Sequence, residues 1–206
     1  MEKLNFKEIF KKLSEKQSSI GENNYFFLNK NPYKIFDSSE IANEFIKATF
    51  IETDKTIKQF KKIPAYDEVA KWLTNTEGKG LLLVGDTGTG KSRMALSVIA
   101  AAFVLINYYP ICIKSWNINI ENYKILKQKT ILIIDEFGRE ALYNNFGIKY
   151  EILYNLIDEF EATGKTLILT SNMSEELIIK RYGEPFLERI KKMCKIVVFK
   201  GESFRI

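Results

Sequence analysis

The sequence predicts a three-layer α/β domain, a central parallel sheet covered by helices on both faces, behind a small helical N-terminal extension. Three observations predict it. Short apolar or β-branched runs recur at residues 81–84, 111–116, 130–134, 166–170 and 195–199. Runs of that length with continuous apolarity suit strands buried on both faces. Segments at helical spacing alternate with them, one over 91–107 and one over 146–162, where Ile148, Ile152, Leu156 and Phe160 recur. A glycine-rich turn, residues 85–90, joins the first run to the first of these helices.

The elements follow in order. Residues 1–62, rich in Lys, Asn, Phe and Glu, read as short helices. One covers 5–13, and another starts at the N-capping cluster Asp37-Ser38-Ser39 and runs to about Phe50. Residues 21–33, with four Asn and a Pro, read as irregular. Pro64 opens a helix that turns Val69, Ala70, Trp72 and Leu73 towards a core. The chain therefore divides into a helical extension, 1–62, and an α/β domain, 63–206.

Composition narrows the function. The 206 residues carry a formal charge of +5 and contain no His. A His-based triad and a His-ligated metal are thereby excluded. The diffuse positive excess permits contact with nucleic acid without requiring it. Cys112 and Cys194 lie in apolar surroundings and read as buried free thiols. The start is amphipathic without an apolar signal core, and the longest apolar stretch, 95–106, is too short to span a bilayer. A cytoplasmic, membrane-free location is the expectation.

The chemistry sits in two segments. Gly85-Asp86-Thr87-Gly88-Thr89-Gly90-Lys91-Ser92 fits the P-loop pattern G-x-x-x-x-G-K-[ST] at every position. Glycines let successive N–H groups turn towards phosphates, and the following helix adds the positive end of its dipole. Lys91 is expected to neutralise the β and γ phosphates of ATP, and the Ser92 hydroxyl to join a Mg²⁺ shell. Ile131-Leu132-Ile133-Ile134-Asp135-Glu136 sets two carboxylates at the carboxyl end of a buried strand, where open α/β sheets bind ligands. Asp135 is expected to hold Mg²⁺, largely through water, and Glu136 to act as general base on the attacking water. Thr170-Ser171-Asn172 ends another strand. Asn172 either hydrogen-bonds the γ phosphate or attacking water, or belongs to a loop that caps the helix after Ser174.

The run Ile133-Ile134-Asp135-Glu136-Phe137-Gly138-Arg139-Glu140 resembles the Walker B region of the DnaC/IstB-type AAA+ ATPases, helicase loaders and their transposition-associated relatives. The later order continues the resemblance: residues 165–172, then Arg181-Tyr182-Gly183, Glu188-Arg189-Ile190 and the closing Gly201-Glu202-Ser203-Phe204-Arg205. It spans residue 81 to the C-terminus and implies an AAA+ fold with ATP-dependent self-association. By position Asn172 becomes sensor 1. Arg189 becomes the arginine that reaches a neighbouring subunit's γ phosphate, a role suited to an always-charged fork. Composition alone reads Arg189 as a surface residue on a Lys-rich helix. Arg205 matches the closing arginine of the family. Pro185 departs from the basic or small residue common in relatives, and residues 117–129 are shorter than the helical stretch that in relatives contributes to single-stranded DNA contact.

The resemblance implies a loader of a replicative helicase, with residues 1–62 as a partner-binding region and single-stranded DNA as a further partner. A transposase's ATPase partner has the same chemistry and a different client. A small P-loop kinase is the reading from another class, although no arginine-bearing lid follows Asn172. A nucleotide-gated binding module with little turnover is the last.

Overall fold

The computed structural model describes residues 5–18, 33–54, 60–139, 143–145, 148–150 and 152–201. Residues 21–32 of the segment read as irregular, and the closing motif from Glu202 to Arg205, lie outside the described residues. Three helices come first: α1 (Phe6–Ser18), α2 (Ser39–Thr53) and α3 (Pro64–Thr74). Ser38 caps α2 by accepting from the Ile41 N–H, and Pro64 opens the first turn of α3, where no N–H is needed.

The strand β1 (Gly80–Gly85) leads through the glycine-rich turn into one helical run. That run comprises α4 (Lys91–Arg93), a π-helical stretch (Met94–Ile99) and α5 (Ala100–Leu105). After β2 (Ile111–Lys114), a 3-10 turn (Ser115–Asn117) and α6 (Ile120–Leu126) comes β3 (Ile131–Asp135). A hairpin of β4 (Tyr143–Asn145) and β5 (Ile148–Tyr150) precedes α7 (Ile152–Thr163) and β6 (Thr166–Ser171). The helices α8 (Glu175–Tyr182) and α9 (Glu184–Met193) then lead to β7 (Cys194–Phe199).

Five strands make one parallel sheet in the order β2-β3-β6-β1-β7. Strand alternation explains the three layers. Leu81 and Leu83 of β1 join Ile131, Ile133, Ile168, Val197 and Phe199 in a core with the first helices and the run after β1. Leu82 turns the other way and joins Leu132, Ile134, Leu167 and Leu169 against α7, α8 and α9. Described parts of the N-terminal segment pack into the first of these cores, with Ala42, Phe45, Ile46 and Phe50 of α2 all buried.

Two local expectations need correction. The helix expected over 146–162 starts at Ile152, and Ile148 pairs with Asn145 across the hairpin. The four-residue spacing of Ile148 and Ile152 fits a helix, but the β-branched and aromatic residues Ile148 and Tyr150 favour the strand. The strand expected over 111–116 stops at Lys114, because Ser115 turns to donate from Oγ to the Glu136 carbonyl at 2.6 Å. Residues 117–129 contain a helix, α6, opened by a reciprocal capping box between Asn119 and Asn122. Pro185, the departure from the family pattern, falls in the first turn of α9 and is compatible with it. Among the described residues no helix is long and apolar enough to cross a membrane.

Candidate functional site

The glycine-rich turn is built by backbone conformations that need glycine. Gly85, Gly88 and Gly90 have φ of 129°, 87° and 90°. A side chain at Gly90 would also come within 2.9 Å of the Tyr66 hydroxyl, and one at Gly85 within 2.1 Å of the Phe199 carbonyl. The loop is thus braced from below by α3 and by the edge strand β7. Thr89 Oγ1 donates to the Asp86 carbonyl at 2.7 Å and closes the turn. Lys91 is 6% exposed, and its ammonium donates to the Gly85 and Asp86 carbonyls at 2.7 and 2.6 Å. A positive charge is therefore fixed beneath the loop, where an anion cradled by the loop's N–H groups would meet it.

Parallel register brings the other candidates to the same edge. Val84 pairs with Ser171, so Asn172 follows at the level of Gly85. Ile134 pairs with Leu169, so Asp135 lies beside Thr170. Asn172 is exposed and lines a groove of about 450 Å³ together with Gly85, Asp86 and Thr87. Val84, Ile178, Leu187, Ile196 and Val198 form the groove's apolar wall. Ser174 caps α8 by accepting from the Leu177 N–H, so the capping role read for this loop belongs to Ser174 and not to Asn172.

Asp135 is buried, and its carboxylate accepts from the Thr170 hydroxyl at 2.6 Å. The same Thr170 Oγ1 accepts from the Glu136 N–H at 2.8 Å. Glu136 has φ 56°, a left-handed conformation that costs a non-glycine residue on the order of 1–2 kcal/mol. Three contacts impose it: Thr170 on its N–H, Ser115 on its carbonyl, and the Phe137 N–H bonded to the Thr170 carbonyl at 2.8 Å. The result turns the Glu136 side chain out of the strand, and its carboxylate accepts from Arg139 Nη1 at 2.7 Å.

Arg189 stands apart. Two residues along α9 from Leu187, it projects from the opposite side of the helix, away from the groove. Its Nε meets Glu161 at 2.7 Å, its Nη1 meets Asp158 at 2.9 Å, and its guanidinium lies over Tyr154. The structure therefore gathers residues 85–92, Asp135, Glu136 and Asn172 at one edge, and ties Arg189 to α7.

Thr170 was legible as a polar residue ending the apolar run Leu167-Ile168-Leu169, but not as the group that links both acids. Tyr66 and Ser115 gave no signal in the sequence, since each acts through long-range contact; Arg139 falls within the run that resembles Walker B, but its bond to Glu136 was not read there. Cys194 is a buried free thiol, as expected, with burial pushing it up to about 12. Cys112 is in no disulfide but only half-buried, against the expectation of a buried thiol. Among the described residues no cluster of three or more acidic or cysteine side chains could hold a metal unaided.

No family model and no curated protein matches the sequence. Solved structures do. The crystal structure of the DnaC helicase loader superposes with TM-score 0.53 at 20% identity, covering 70% of this chain and 95% of that one. The crystal structure of DnaI gives 0.51 at 19%, covering 62% and 73%. AMPPCP-bound DnaA from Aquifex aeolicus gives 0.51 at 16%, over 69% of this chain and 49% of DnaA. In backbone, the chain shares the fold of these DnaC, DnaI and DnaA structures.

Proposed function

We propose that the chain is an ATPase that assembles a replicative DNA helicase on DNA, with ATP and Mg²⁺ bound at residues 85–92 and Asp135. One observation carries the chemistry: Thr170 holds the Asp135 carboxylate and the Glu136 backbone together, at the sheet edge that also bears the P-loop. Mg²⁺ takes few protein oxygens and otherwise binds waters and phosphates, so the Ser92 hydroxyl and the free oxygen of Asp135 suit it. When bound it supplies charge neutralisation across the β and γ phosphates.

The chain's own residues do the rest. The N–H groups of residues 85–90 cradle the phosphates. Lys91 exchanges its loop carbonyls for phosphate oxygens. Glu136 accepts the proton of the attacking water, and Asn172, in the same groove as Asp86 and Thr87, orients the water or the γ phosphate. Arg189 serves a neighbouring copy, since its own loop lies on the far side of α9, and it must first leave Asp158 and Glu161. ATP binding thereby favours self-association, and hydrolysis, slow and switch-like, releases it.

The likeness to the DnaC helicase loader supports the client. The test is a pull-down from the native host with Glu136→Gln protein and ATP. Recovery of a replicative helicase supports the proposal and points to residues 1–62 as its grip. Recovery of a transposase without a helicase contradicts the client and leaves the ATPase chemistry standing.

A further inference from the structure

Asn172 is exposed in the groove, one residue beyond the end of β6, so its placement depends on the backbone that carries it. Ser171 grips that backbone. Its side chain is buried, and Oγ accepts from the Met173 N–H at 3.1 Å, closing a turn with Asn172 at its centre. The same Oγ donates its one proton to the Phe137 carbonyl at 3.0 Å. The Phe137 N–H is bonded to the Thr170 carbonyl at 2.8 Å. Directly after Glu136, then, residue 137 is joined to the end of β6 through both of its backbone polar groups. Its ring is buried against Tyr182 of α8 and Phe186 of α9, with centroids 5.9 and 6.5 Å away, which anchors this turn to the layer below. Gly138 completes the contact. With φ 100° and no side chain, it lets Met173 Sδ lie where a Cβ would stand.

We propose that Ser171 is a positioning residue: its hydroxyl ties the turn around Asn172 to the turn after Glu136 and so sets the two side chains at the spacing one water needs. The inference rests on the reading of Glu136 as base and of Asn172 as the group that orients the water or the γ phosphate. Strand pairing does not supply that spacing. Towards β1 the ladder of β6 continues to Ser171, which fixes Asn172 against the P-loop. Towards β3 it ends at Ile134 and Leu169, three residues short of Asn172. Beyond that pair the two chains are held by hydroxyls, Thr170 on the side of Asp135 and Glu136 and Ser171 on the side of Asn172. A buried hydroxyl whose proton and lone pair are both committed has one rotor setting, so the link is stiff. Misplacing a reacting group by about 1 Å can cost about a hundredfold in rate, so a link of this kind acts on turnover. A serine that only paired two buried backbone groups would act on stability alone.

A double-mutant cycle in steady-state hydrolysis separates these roles. The turnover is expressed per ATP-binding site counted by calorimetry, so that unfolded protein does not enter it. Ser171→Ala should lower kcat by about tenfold to a hundredfold and leave the KM for ATP unchanged, since Lys91 and the loop are untouched. Asn172→Ala should lose at least as much. In the Asn172→Ala background, Ser171→Ala should change kcat by less than about twofold, because the side chain it positions is gone. The fall in melting temperature caused by Ser171→Ala should be the same in both backgrounds. Ser171→Cys, which keeps the size and a weaker donor, carries the same cycle if the alanine protein does not fold. Equal fold-losses of kcat in both backgrounds, or wild-type kcat in a folded Ser171→Ala protein, overturn the positioning role and leave Asn172 and Glu136 as read. Wild-type turnover by Asn172→Ala alone overturns the role of Asn172 itself, and this inference with it.

Discussion

Thr170 Oγ1 donates to Asp135 Oδ1 at 2.6 Å, in a position where both side chains are buried. With its lone pair on the Glu136 N–H, this one hydroxyl sets the Asp135 carboxylate and the left-handed turn at Glu136 together. Thr170→Val keeps the shape of the residue and removes both bonds. It should cost about 1–3 kcal/mol for each group left unpaired, visible as a lower melting temperature, and raise the Mg²⁺ concentration needed for half-maximal turnover. Thr170→Ser should restore most of both. A valine variant with unchanged melting and Mg²⁺ dependence would contradict the role given to the hydroxyl.

Lys91 is fixed under the loop by two carbonyls, so its charge is preorganised for phosphate. If ATP binds at this loop as proposed, removing Lys91 takes away two charge-assisted bonds, about 3 kcal/mol together and about a hundredfold in Kd. Lys91→Ala should show no ATP binding in the micromolar range by calorimetry. Retained micromolar affinity would refute the site.

Much of this was open to reading in the sequence, because the signals are local. The eight-residue P-loop pattern, the apolar run ending in Asp135-Glu136, and the strands at 81–84 and 166–170 each declare themselves within a few neighbours. What stayed hidden depends on contacts across the fold. The tether of Glu136 by Arg139 requires the backbone turn that Thr170 and Ser115 impose from two other strands' ends. The hairpin before α7 was masked by an isoleucine spacing common to helix and strand. The short helix α6 rests on the capping side chains Asn119 and Asn122 more than on any apolar stripe, since only its Leu126 is buried.

Arg189 bridges Asp158 and Glu161 of α7 within its own chain. If it acts on a neighbour's γ phosphate, Arg189→Ala subunits are inactive alone yet supply an intact Glu136. Mixed with Glu136→Gln subunits, which supply the arginine, they should recover part of the wild-type turnover. Absence of recovery at every mixing ratio would argue that Arg189 only joins α9 to α7.

Among the carboxyls of the described residues held below their ordinary range, three are held first by a lysine: Asp67 by Lys62, Glu68 by Lys195 and Glu161 by Lys192. A depressed folded value means that their stabilisation is full above the ordinary carboxylate pKa of about 4 and is lost as pH falls through the folded values. These pairs are partly exposed, so the effect is small for each and weakened by salt. Melting temperature should hold from about pH 7 to about pH 5, drop below that, and drop less steeply in Lys195→Met. A rise in melting temperature on acidification would contradict the sign.

The account depends most on Glu136 as the base beside an intact binding loop. The direct measurement is ATP binding and ATP turnover by the Glu136→Gln protein, side by side with wild type in Mg²⁺. Binding within a few-fold of wild type, with turnover lower by about 10²–10⁴, is the predicted result. Turnover at the wild-type rate with normal binding would place the base elsewhere and contradict the central claim.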